Sequence, residues 1–141
     1  ITDKGYYDNS FHVSSRINMS PFEKLRLEAL GHKYSAGGHI SYIETDSLTK
    51  NLDAIPDILR YAKMVGIHYM GINQPVDKCH ICGYKGEFTA TKEGFTCPQC
   101  GNHDSNEMSV IRRVCGYLAQ PNARPFNKGK QEEIMHRVKH S

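Results

Sequence analysis

Cys79-His80-Ile81-Cys82-Gly83 and Cys97-Pro98-Gln99-Cys100-Gly101 repeat one pattern: two thiols two residues apart, followed by a glycine. Each pair suits a tight knuckle in which two thiolates reach one metal and the following glycine accepts a positive φ. Fourteen residues separate the pairs, enough for two short strands and a turn. Two such knuckles on a β-hairpin offer four sulfurs at the corners of a tetrahedron, about 2.3 Å from a zinc ion. Soft thiolates in that arrangement favour zinc ahead of a rubredoxin-like iron. Cys79, Cys82, Cys97 and Cys100 are therefore the expected ligands. Because four thiolates leave no open coordination position, the zinc is expected to be structural. His80 and His103 lie close in sequence but are expected at the surface or behind the ligands. The alternative, four unrelated thiols or two disulfides, fits the paired spacing less well.

The fifth cysteine stands apart, in Arg112-Arg113-Val114-Cys115-Gly116-Tyr117-Leu118. By residue type alone this stretch supports no catalytic assignment. A glycine between Cys and Tyr reads as a turn or packing glycine, and Cys115 as a small buried hydrophobe.

The elements that must position these residues alternate along the first half. Ser10-Phe11-His12-Val13 reads as a short strand. Ser20-Pro21-Phe22-Glu23 opens a helix: serine caps, proline suits the first helical position and Glu23 completes a capping box. Phe22, Leu25, Ala29 and Leu30 recur at helical spacing, and Gly31 is the expected left-handed stop. Gly37-Gly38 turns the chain into a strand over His39–Glu44. A second helix has its main part opened by Pro56, with Ile58, Leu59, Ala62 and Val65 facing a core and Gly66 as its end. Ile67–Ile72 reads as a third strand, closed by Asn73-Gln74-Pro75. This alternation predicts α/β packing, and three strands are too few for a closed sheet. Residues 76–105 are poor in aliphatics and cannot build a core unaided. Gly86-Glu87-Phe88-Thr89 and Phe95-Thr96 supply the hairpin strands, with Lys92-Glu93-Gly94 between them. Residues 106–129 have no clear period. Lys130–Lys139 reads as a short helix with Ile134 and Val138 inward.

Composition narrows the class. The 141 residues are 38% hydrophobic and carry no apolar run near the ~20 residues a spanning helix needs, so no membrane role is expected. Ile1-Thr2-Asp3-Lys4 shows no secretory pattern, and the missing initiator methionine suggests a fragment or an internal start. Eighteen Lys and Arg against fifteen Asp and Glu give a net charge of +3, too mild to imply nucleic acid. From Arg112 onward, however, seven basic residues face only Glu132 and Glu133, a tail that suits phosphate, an acidic partner or simply solvent. Paired cysteines with an odd one left over point to a reducing compartment, expected to be the cytoplasm.

Several stretches together resemble the C-terminal portion of anaerobic (class III) ribonucleotide reductases, in their coliphage-like branch. Arg113-Val114-Cys115-Gly116-Tyr117-Leu118, then Asn122-Ala123-Arg124-Pro125-Phe126-Asn127 and Lys130-Gln131-Glu132-Glu133, are similar to that family's radical loop. The two-knuckle ribbon lies just upstream, as it does there. Gly37-Gly38-His39-Ile40 and Asn9-Ser10-Phe11-His12-Val13 resemble its last barrel segments. The resemblance implies a division into the end of a ten-stranded α/β glycyl-radical-enzyme barrel (1–75), a zinc ribbon (76–105), and a radical loop with a C-terminal helix (106–141). It implies that Gly116 carries a glycyl radical, installed by a separate radical-S-adenosylmethionine iron–sulfur activase, and that Cys115 only packs beside it. The radical would pass to a cysteine outside this chain, which then attacks the ribose of a ribonucleoside triphosphate, with formate as reductant. The expected partners are thus the activase, the remainder of the reductase and a second copy of the enzyme in a homodimer. The 141 residues alone are not expected to be competent.

Two other readings compete. A nucleic-acid-binding zinc ribbon would want Tyr84, Phe88 and Phe95 exposed among basic residues, and it gives the radical-loop resemblance no role. A free-standing glycyl-radical spare part would share the loop but lack the ribbon.

Overall fold

The computed structural model describes residues 6, 12–36, 38–45, 51–114, 117–120 and 126–140. The chain divides into two compact units, 8–74 with 138–141, and 1–7 with 75–137. The first is a mixed helix and strand layer. Helix α1 (Pro21–His32) starts as its sequence requires: the Ser20 hydroxyl accepts from the Glu23 N–H, and the Glu23 carboxylate accepts from the Ser20 N–H. Strand β1 (Ser41–Glu44), helix α2 (Ala54–Val65) and strand β2 (Met70–Asn73) follow. β1 and β2 pair in parallel, Ser41 opposite Met70 and Glu44 opposite Asn73. α2 ends at Gly66 as expected, and the φ of 87° there is left-handed. Leu25, Ile43, Ile58 and Ala62 form the apolar core between helices and strands. Residues 138–140 return to this unit, Val138 N–H donating to Ser15 and His140 N–H to the Glu44 carbonyl.

Several expected details differ. α1 continues through Gly31 to His32 and its cap, Lys33, is right-handed. Its buried face is Lys24, Leu25, Glu28 and His32, while Phe22 and Leu30 are exposed. The cause is a polar network, described below, that rewards burial of charged and imidazole groups in place of aliphatics. Leu59 is likewise exposed. Within the expected strand at 10–13, residues 10 and 11 lie outside the described residues, and 12 and 13 are not in a strand. The strand expected over 39–44 begins at Ser41, and that over 67–72 is shifted to 70–73.

Among the described residues, the second unit holds seven short strands, one α-helix and a short 3-10 turn (Ser105–Glu107). β3 (Asp77–Cys79) lies between β4 (Lys85–Gly86) and β7 (Met108–Ser109), antiparallel to both. β5 (Thr89–Thr91) and β6 (Gly94–Thr96) form the hairpin between the cysteine pairs. β8 (Arg112–Val114) and β9 (Tyr117–Ala119) form a further antiparallel hairpin, inside a region where sequence period gave no element. Helix α3 (Lys128–His136) starts two residues before the expected position, its Asn127 side chain accepting from the Lys130 N–H. Ile134 packs on the ribbon core as expected, whereas Val138 lies beyond the helix.

Candidate metal centre and the hairpin beside it

The two cysteine pairs fold as matching knuckles. Gly83 N–H donates to the Cys79 carbonyl at 3.1 Å and Gly101 N–H to the Cys97 carbonyl at 2.9 Å. Cys79 N–H donates to the Tyr84 carbonyl at 2.9 Å and Cys97 N–H to that of Asn102 at 2.8 Å. The glycines that close the knuckles, Gly83 and Gly101, have φ of 76° and 72°, a region where a side chain would be strained. The result brings one ligand atom from each of Cys79, Cys82, Cys97 and Cys100 within 4.8 Å of the others. Cys79 and Cys100 sulfurs are 3.7 Å apart, as are those of Cys82 and Cys97. Disulfides need about 2.05 Å, whereas a tetrahedron with metal–sulfur bonds of about 2.3 Å has edges of about 3.8 Å. The cluster is compatible with zinc. His80 and His103 are exposed and outside it.

The surroundings move three of these thiols in different directions. The Cys79 thiol is held down at about 6, first by the backbone N–H of Cys82, against burial, with the Ile81 N–H and the Asn102 side chain adding. Cys82 goes the other way, to about 12: the Tyr84 N–H lowers it, but burial and the neighbouring sulfurs outweigh that. Cys100 also rises, the help of the Asn102 N–H being outweighed by burial and by Cys79 and Cys97. A dication at the centre of the four sulfurs would favour the thiolate at each.

The ribbon around the cluster has a small core: Cys79, Phe88, Phe95, Cys97, Met108 and Val110. Asp77, fully buried, accepts from the Phe88 N–H at 2.7 Å and forms a bidentate pair with Arg112. Arg112 is the first residue of β8. That strand pairs with β9 in the register Arg112–Ala119, Arg113–Leu118 and Val114–Tyr117. Cys115 and Gly116, which separate the last pair in sequence, lie outside the described residues. Arg137, just after α3, donates from Nη1 to the Arg113 carbonyl at 2.8 Å, and Gln131 of α3 from Nε2 to that of Thr91 at 2.7 Å.

A second group, in the first unit, was not foreseen from sequence: ligand atoms of His12, Glu28 and His39 lie within 4.8 Å of one another. The Lys24 ammonium already pairs with the Glu28 carboxylate, and both residues are buried. Adding a dication would leave uncompensated positive charge in a dry site. Instead the group works as a polar core. His12 Nδ1 is 3.5 Å from Glu28 Oε1, and the Val13 N–H donates to that oxygen at 2.9 Å. His32 stacks on His39 with ring centres 4.2 Å apart. Its Nδ1 accepts from the His68 N–H, leaving Nε2 to donate to Ser41 Oγ at 3.0 Å. That tautomer is neutral, in keeping with pKa values lowered at His32 and His39, chiefly by burial and then by adjoining imidazoles. The spacing 12, 28, 39 follows no local period, so no sequence signal could have found it.

Comparison with known proteins decides the relationship. The family model described as anaerobic ribonucleoside-triphosphate reductase matches residues 1–140. The chain belongs to this family. It is 50% identical over 140 residues to the anaerobic ribonucleoside-triphosphate reductase of Escherichia coli K12, covering 99% of this chain and 20% of that protein. The enzyme of the same name from Enterobacteria phage T4 is 51% identical over 140 residues, covering 99% and 23%. A solved anaerobic ribonucleotide reductase aligns with a TM-score of 0.63 and 22% identity over 92% of this chain and 19% of its own, a likeness of fold. The chain thus spans about a fifth of the length of these relatives. Among the described residues, no helix of this reductase-family chain is long and apolar enough to cross a membrane.

Proposed function

We propose that this chain is the C-terminal part of an anaerobic ribonucleoside-triphosphate reductase, in which Gly116 stores the glycyl radical that starts reduction of ribonucleotides to deoxyribonucleotides. The observation that carries this reading is the family match over residues 1–140. The β8–β9 register supports it, because Val114 and Tyr117, on either side of Cys115-Gly116, are paired. In this reading residues 1–75 end a ten-stranded barrel, 76–105 form the zinc ribbon, and 106–141 carry the radical loop and last helix. Cys79, Cys82, Cys97 and Cys100 would hold zinc, which would supply a structural anchor and no redox chemistry. An iron–sulfur activase transfers a hydrogen atom from the Gly116 Cα to an S-adenosylmethionine-derived radical. Glycine suits the role because no Cβ hinders flattening of the radical centre or close approach. The rest of the reductase, acting as a cytoplasmic homodimer, brings the ribonucleoside triphosphate and takes its electrons from formate. The nucleic-acid reading loses its stacking platform: Phe88 and Phe95 are buried in the ribbon core.

The test is Gly116→Ala in the complete, activated enzyme. Wild type should give a spin signal split by the remaining α-hydrogen, and brief air exposure should cut the chain to release Tyr117–Ser141. The alanine variant should bind zinc normally and give neither. A cut at another residue, or a cut alanine variant, removes Gly116 from the mechanism.

A further inference from the structure

A three-pair, two-stranded hairpin is marginal by itself, so β8–β9 needs an external hold. The described structure gives it one with unusual directional definition. Arg112 places two guanidinium nitrogens on the two oxygens of Asp77, sends Nη2 also to the Phe88 carbonyl at 3.3 Å, and lies over the Phe95 ring at 5.2 Å. Asp77 is itself fixed by the Phe88 N–H and sits two residues before the ligand Cys79, on β3. The pair therefore joins the ribbon's central strand to the first residue of a different sheet, across 35 positions of sequence. Asp77 is wholly buried and Arg112 is 7% exposed. A buried ion pair is a poor way to gain stability, since apolar residues of the same volume often do as well. What a planar, bidentate fork adds is orientation.

We propose that Asp77 and Arg112 are positioning residues: a clasp that sets the placement of the β8–β9 hairpin, and so whether hydrogen abstraction at Gly116 can occur. The clasp fixes the first of three cross-strand pairs, Arg112–Ala119, and the hairpin register carries that placement to Val114–Tyr117. Arg137, donating to the Arg113 carbonyl from just after α3, braces the same strand one residue on. This rests on the reading that Gly116 holds the radical.

The experiment uses the complete reductase with its activase, S-adenosylmethionine and reductant, without oxygen. Asp77→Asn and Arg112→Lys keep size or charge but lose the fork. The double variant Asp77→Leu with Arg112→Met fills the space without buried charge and guards against misfolding of the single variants. Zinc per chain, spins per chain and the KM for ribonucleotide are measured together. In each variant that keeps one zinc, spin should fall about 10- to 100-fold, the scale of an ångström-sized misplacement, with KM within about twofold of wild type. Full spin in any zinc-holding variant overturns the clasp, as does loss of zinc from all three, which would make the pair a part of the ribbon and nothing more. Absence of spin on Gly116 in the wild type strikes the functional reading instead.

Discussion

Glu28 offers a quantitative test of the polar core that holds α1 to its neighbours. Burial pushes its carboxyl up, but His12, the Lys24 ammonium and Ser41 more than compensate, leaving it at about 2 against an ordinary 4.5. A carboxyl whose folded pKa is depressed contributes stability above the unfolded value and loses it as pH falls toward the folded one. The contribution is therefore complete above about pH 4.5, declines below that, and is gone near pH 2. The shift corresponds to about 3 kcal/mol, or a few hundredfold in the local opening equilibrium. His32 and His39, lowered in the fold, act in a separate, higher window: they oppose folding as pH drops below about 6.5, where the unfolded imidazoles take protons first. Amide hydrogen exchange of α1, corrected for the intrinsic pH dependence, reads this unit without interference from thiol protonation in the ribbon. Wild-type protection should fall a few hundredfold between about pH 4.5 and 2. Glu28→Gln should flatten that decline and lower protection at neutral pH, since it strands the Lys24 ammonium in a dry site at a cost of about 3–5 kcal/mol. Parallel curves for the two proteins across the acidic window would refute the assignment of a paired, ionised Glu28.

Two further outcomes follow from the ribbon. Cys97→Ser should lose zinc, as measured by elemental analysis, and unfold residues 76–105, because metal binding in such modules supplies on the order of 10 kcal/mol of folding energy; full zinc retention contradicts this. Phe88→Ala, which removes the more deeply buried of the ribbon core's two phenylalanines, should cost about 3–5 kcal/mol in chemical unfolding of the zinc-loaded chain, and a loss below about 1 kcal/mol would mean that the core is not where the burial pattern places it.

The parts of this fold that were legible in sequence are those written in local chemistry. The capping box at Ser20 and Glu23, the stop at Gly66 and the two knuckles each depend on residues within about four positions of one another. What was not legible depends on distant partners. Apolar spacing in α1 pointed to Phe22 and Leu30, yet the buried face carries Lys24, Glu28 and His32, whose partners His12, Ser41 and His39 come from other segments. Strands β7, β8 and β9 have two or three residues each, too few for a period of two to be counted. Arg112 looked like one member of a basic tail; its role is set by an aspartate 35 residues earlier. Gly116 was singled out by resemblance alone, for nothing in a Cys-Gly-Tyr triplet distinguishes a radical site from a turn.

The ribbon's construction explains how a three-pair hairpin is held beside a four-cysteine cluster. Among the described residues, six buried ones make its apolar core, and two of them, Cys79 and Cys97, are themselves expected ligands. Such a core is too small to order a 30-residue module by burial, so the order must come from directional bonds: the zinc proposed for the four clustered cysteines, the paired knuckle amides, and the Asp77 carboxylate with the Phe88 amide and the Arg112 fork. Directional bonds fix geometry more sharply than they add net stability. A platform of that kind would be lost with any one thiolate, whereas losing the fork would leave the ribbon ordered and the hairpin misdirected. The strand that leads to Gly116 leaves this platform at Arg112, where the fixed geometry of the ribbon is handed to the hairpin.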